Sequence, residues 1–290
     1  MDKKLTVKRI VIFSVLAIVI SIVLSAMWDI IFLYLPDALT MYDDPENAAS
    51  YSSLAGFSML GPAIAAFLTR LITHEGMEHS MLKFNIKGNL KNYILPLAAL
   101  LAVTIINALA LPIITGHKLY FGNDIAENAL IMINVIISAA LLCGLYFGEE
   151  YGWRGYLFPK LDELVGTGKA IIITGIIWGV WHTPVLLQGH NFGKDVPFFP
   201  VSNILMMCVL CIFITPIFAY FTKKTDSVWP AVLAHGFVNN FAAMMTGMFT
   251  DPDSLESISQ LQASSVMFIG FGIVWIFFFV LMTRKKESKR

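Results

Sequence analysis

Apolar residues in this chain fall in runs of about twenty, the length that spans roughly 30 Å of hydrocarbon as a helix. Windows of that size predict eight membrane-spanning helices, at about residues 10–34, 52–73, 93–115, 128–148, 168–188, 200–221, 228–249 and 263–283. The first run follows Lys3, Lys4, Lys8 and Arg9 but is longer than the apolar core of a signal peptide, and Leu24 stands where cleavage after Ala26 would need a small residue. It reads as an uncleaved span. Between the fourth and fifth runs, Tyr151–Val165 (YGWRGYLFPKLDELV) mixes aromatics and charges, the pattern of a short amphipathic helix at the inner interface.

Placing basic residues on alternate sides tests the count. With the N-terminus inside, 18 of the 20 Lys and Arg residues fall in inner segments, and only Lys118 and Lys194 are left for outer loops. The acids Asp43, Asp44, Glu46, Asp251, Asp253 and Glu256 fall outside. This positive-inside asymmetry predicts eight spans with both N- and C-termini cytoplasmic. The expected fold class is an all-α polytopic membrane protein, a single integral membrane domain over residues 1–290, with its polar motifs within 145–245 and its place in a bacterial plasma membrane.

Composition agrees: 57% hydrophobic, 14% charged and a mean hydropathy of +0.71 exclude a soluble globule. Twenty basic against twenty acidic residues also argue against nucleic acid as a partner. The three cysteines, Cys143, Cys208 and Cys211, lie in apolar stretches and read as packing residues rather than a disulfide or zinc framework. Gly270 and Gly272 lack the G-x-x-x-G spacing of a helix-dimer face, and Met244, Met245 and Met248 read as helix packing.

Polar groups inside spans are costly and mark sites or pathways. Here they concentrate in three places: Glu149, Glu150 and Arg154 (GEEYGWRG), His182 (WGVWHTP), and His235 with Asn239 (HGFVNN). Residues four apart share a helix face, so Glu150 can pair with Arg154, and His235 with Asn239 can point together into the bundle. If Arg154 neutralises one carboxylate, the other is free to act as a general base. One histidine can orient water or shuttle its proton, and a second with an amide can donate to a developing oxyanion. Those parts suit hydrolysis of an acyl bond. The alternative is a proton or cation relay in a transporter, for which no paired halves are visible.

In E-E-x-x-x-R (Glu149, Glu150, Arg154), an aromatic-x-x-x-H (Trp178 to His182) and H-x-x-x-N (His235 to Asn239), the chain resembles the CAAX protease and bacteriocin-processing family of intramembrane proteases, which includes the type II CAAX prenyl endopeptidases. Gly61–Ile72 also resembles a segment of its bacterial members. Trp178 stands where phenylalanine is frequent, a conservative aromatic change. The resemblance implies an endopeptidase whose site opens to the cytoplasmic side and acts on a peptide or membrane-anchored protein, with a bacteriocin self-immunity or scaffold protein without catalysis as the alternative. In it Glu149 and His182 activate water, His235 and Asn239 stabilise the oxyanion, and Glu150 with Arg154 holds the site together. No cofactor is expected. The alternative is a zinc ion on Glu149, His182 and His235, although the compact H-E-x-x-H arrangement is absent.

Overall fold

A computed structural model describes residues 2–34, 56–117, 130, 133–134, 137–138, 141–248 and 258–284, with side chains described except at 28–34, 241–248 and 260. The elements in order are α1 (Lys3–Tyr34), a 3-10 turn (Gly56–Leu60), α2 (Gly61–Ile72), α3 (Leu90–Thr115), α4 (Cys143–Glu150), a π-helix (Tyr151–Leu157), α5 (Phe158–Val165), α6 (Thr167–Trp181), α7 (Thr183–Leu187), α8 (Val201–Thr225), α9 (Trp229–Met248) and α10 (Gln260–Thr283). Among the described residues every regular element is helical, and four helices are long and apolar enough to cross a membrane: Lys3–Met27, Leu90–Thr115, Val201–Thr225 and Leu261–Thr283. Gly56–Ile72 and Thr167–Trp181 are shorter apolar helices. The acidic outer positions 43–46 and 251–256, the basic tail beyond Arg284 and positions 128–129, 131–132, 135–136 and 139–140 of the expected fourth span lie outside the described residues.

Helix α1 shows why the bundle suits lipid. It buries Ile10, Phe13 and Ala17, yet exposes Val7, Val11, Val15, Val19 and Ile22. An aliphatic outer stripe is a liability in water and a match for acyl chains.

Glycines set how closely the helices approach. Gly175 and Gly179, four apart on α6, face α8, where a Cβ on either would stand 2.5 Å from the Cα of Ile212 or Cys208. This is the small-xxx-small contact by which helices associate in lipid. Gly148 does the same on α4, where a Cβ would meet the Met59 carbonyl at 2.5 Å, and Gly152 abuts Pro62. Gly270 lies against Asn107, whose side-chain oxygen accepts its N–H at 3.0 Å.

Two departures from the expected spans matter. The expected amphipathic helix over Tyr151–Val165 forms only in its second half: Tyr151–Leu157 is wholly buried and continues α4 as a π-helix. The tight aromatic and glycine packing on both sides leaves that segment no interface to lie on. The expected fifth span ends early, because Pro184 lacks the N–H that would bond the Val180 carbonyl. Thr183 Oγ1 donates to that carbonyl instead at 2.6 Å, and the chain turns at His182 before α7.

At the end of the bundle that carries Arg9 and Arg70, Glu75 gathers several partners. Lys160 Nζ stands 2.7 Å from Oε1, and Tyr156 donates at 2.9 Å and Arg9 Nε lies at 3.2 Å, both to Oε2. Arg70 completes the group at 3.6 Å. One carboxylate thereby ties α1, α2, the π-helix and α5 together.

Candidate functional site

The site is assembled by the last turn of α4, the π-helix, the end of α6, the middle of α8 and the first half of α9. A π-turn widens the helix and displaces side chains from the α register, and such turns recur at functional sites. Here it carries Arg154 inward. Glu150 and Arg154 are 0% exposed, Glu149 is 2%, Trp178 3% and His235 4%.

Arg154 Nη1 donates to Glu150 Oε1 at 2.9 Å. Its guanidinium is sandwiched between aromatic rings, 3.9 Å from the Trp178 centroid and 4.9 Å from that of Phe218. Its Nη2 reaches Thr215 Oγ1 at 3.4 Å, and that hydroxyl donates to the Cys211 carbonyl at 2.7 Å. Charge pairing, stacking and hydrogen bonds together are what a fully buried cation requires.

His235 Nδ1 lies 2.7 Å from the same Glu150 oxygen. A carboxylate only accepts, so Nδ1 is the donor in this contact and Nε2 is the ring nitrogen turned away from Glu150. Tyr146, Trp178 and Phe218 surround the imidazole at centroid distances of 5.2, 5.8 and 5.9 Å. His182, half-buried at the break after α6, places Nδ1 2.8 Å from the Trp178 carbonyl. The same logic gives it an N–H at Nδ1 and leaves Nε2 for chemistry. Ser21 Oγ of α1 lies 3.5 Å from the neighbouring Trp181 carbonyl, which the helix break leaves without an i+4 donor.

Glu149 accepts the Trp178 indole N–H at Oε2, 2.6 Å away. The indole contacts His182 at 5.8 Å as well as His235 and Arg154. Five of the six expected site residues, Glu149, Glu150, Arg154, His182 and His235, therefore gather around Trp178. The sixth, Asn239, sits one turn beyond His235 on α9 and is exposed; it is the neighbouring Asn240 that bonds inward, donating to the Tyr146 hydroxyl at 2.8 Å. Tyr146, Thr215 and Phe218 were not singled out by the sequence, because an aromatic or a threonine in an apolar run carries no signal until the helices are assembled; Asn240 stands beside Asn239 in HGFVNN, and only the assembled helices show which of the two bonds inward.

Among the described residues, no group of three His, Cys, Asp or Glu side chains is gathered so as to hold a metal ion.

A helical membrane protein with a buried carboxylate–guanidinium–imidazole network is the class that fold and site define. Residues 127–241 match the family model for the type II CAAX prenyl endopeptidase Rce1-like family. The chain is also similar to CAAX prenyl protease 2 of Methanococcus maripaludis, 26% identical over 161 residues that make up 51% of this chain and 57% of that protein. It therefore spans little more than half the length of the curated relative it matches. Both matches are likenesses to CAAX prenyl endopeptidases, and the first falls on the segment that carries Glu149 to Asn239.

Proposed function

We propose that this protein is an intramembrane endopeptidase that hydrolyses a peptide bond in a membrane-associated substrate, using water activated by Glu149 and His182. The observation that carries the reading is the segregation of the two adjacent glutamates. Glu150 is committed to Arg154 and His235, whereas Glu149 receives only a neutral indole donor and has no cationic hydrogen-bond partner among the described residues. One carboxylate is structural and the other keeps its basicity for proton transfer.

Glu149 would take the proton of a water that His182 Nε2 helps to orient, and the hydroxide formed would attack the scissile carbonyl. His235, held through Nδ1 by Glu150, would donate from Nε2 to the oxyanion. Asn239, exposed one turn away, would add a second donor. Glu149, now protonated, would return the proton to the leaving amine. With both termini cytoplasmic, this site would open to the inner side of a cell membrane.

The name of the relative suggests the first probe, an internally quenched peptide ending in a prenylated CAAX motif. Purified protein in nanodiscs should cleave it, and Glu149→Gln should abolish cleavage while leaving the melting temperature unchanged. In parallel, C-terminal peptide mapping of membranes from cells carrying the wild type or Glu149→Gln would locate natural products. Full cleavage by the variant, or two indistinguishable C-terminal maps with no peptide cleaved, would overturn the proposal.

A further inference from the structure

We propose that Trp178 is a positioning residue: its indole N–H fixes the Glu149 carboxylate, and its backbone carbonyl fixes the His182 imidazole, so that one residue aligns both groups that activate water. This rests on the reading of Glu149 as the base.

The geometry runs through both halves of the residue. Indole nitrogen is a donor only, so the 2.6 Å contact is a hydrogen bond to Oε2 that leaves Oε1 for proton transfer. Donation to a carboxylate is among the stronger hydrogen bonds, and burial of both partners strengthens it further. On the main-chain side, the carbonyl that accepts from His182 Nδ1 at 2.8 Å decides which imidazole nitrogen is left basic.

The donor is itself held rigid. Arg154 stacks 3.9 Å from the ring centroid, and Gly179, the next residue, is pinned against Cys208 of α8. A side chain clamped on its face and at its backbone can transmit position, as a flexible one cannot. The sequence pattern treats tryptophan and phenylalanine as equivalent at position 178. Geometrically they are not, because phenylalanine would keep the ring faces and the carbonyl but lose the N–H.

Trp178→Phe isolates that N–H. On the prenylated CAAX peptide its kcat should fall about 10- to 100-fold, the usual effect of losing a group that orients an active one, with KM within about twofold and an unchanged melting temperature. A merely structural tryptophan would lower the melting temperature instead. A second readout needs no turnover. The protein has six tryptophans, and in 15N-indole-labelled protein in nanodiscs the Nε1–H resonance missing from Trp178→Phe identifies Trp178. That resonance should move upfield in Glu149→Gln, whose neutral amide oxygen is a weaker acceptor. A resonance that stays put in Glu149→Gln, or wild-type kcat in Trp178→Phe, would overturn the inference. If Glu149→Gln is inactive while Trp178→Phe keeps wild-type kcat, only this inference falls; if Glu149→Gln cleaves normally, the hydrolytic reading falls first.

Discussion

Glu150 and His235, 85 positions apart, meet at 2.7 Å, and the carboxylate oxygen they share also accepts from Arg154 at 2.9 Å. One buried oxygen thus joins the π-helix after α4 to α9. That contact engages Glu150 and leaves the adjacent Glu149 to the Trp178 indole.

The network should behave as a unit. Arg154→Met leaves a carboxylate buried with no guanidinium and should cost about 3–5 kcal/mol, read as a lowered melting temperature in detergent. Adding Glu150→Leu should recover most of that loss, because an apolar pair of similar volume needs no desolvation. A double variant less stable than Arg154→Met alone would show that His235 depends on Glu150 more than Glu150 depends on Arg154.

Helix spacing at the site depends on glycine. Gly179→Ala places a methyl 2.5 Å from the Cys208 Cα, so α6 and α8 must part; a loss of about 1–3 kcal/mol is expected. Gly168→Ala is the control, since its nearest neighbour would be Phe279 Cζ at 3.5 Å. Size-exclusion profiles after mild heating should distinguish the two, and equal profiles would contradict the close packing.

Two adjacent asparagines test the oxyanion role. If Asn239 donates to the oxyanion, Asn239→Ala should lower kcat about 100- to 1,000-fold. Asn240→Ala loses its bond to the Tyr146 hydroxyl and should cost about tenfold or less, through the ring that Tyr146 lays against His235. The reverse order would assign the oxyanion role to Asn240.

Acid should loosen the basic end of the bundle. Burial alone would raise the Glu75 carboxyl, but the Lys160 ammonium, the Tyr156 hydroxyl and Arg70 hold it below the usual 4.5. At Lys160 burial wins despite Glu75 and lowers the ammonium, so the acid is the partner whose ionisation stabilises. An acid with a depressed folded value stabilises fully above its unfolded value, and that stability drains as pH falls through the lower folded one. Melting temperature should therefore drop below about pH 4.5, and Glu75→Gln should be less stable at neutral pH with that acid limb flattened. An unchanged limb in Glu75→Gln would assign the acid sensitivity to other carboxylates.

The sequence by itself determined the class of fold and the chemistry-bearing residues. Long apolar runs admit little but helices in lipid, since each backbone polar group must be satisfied within its own segment. For the same reason Glu149, Glu150, Arg154, His182 and His235 stood out, because a polar group in such a run is too costly to be incidental. Tertiary structure alone decided which glutamate pairs with Arg154 and His235, that Tyr151–Leu157 is core rather than interface, that the fifth span ends at His182, and that an indole at position 178 differs from a phenyl ring. Each of these depends on contacts across 29 to 160 positions of chain, such as Glu149 with Trp178 and Ser21 with Trp181. Helical periodicity describes the faces of one helix at a time. Which faces meet is fixed only when the bundle closes around its glycines.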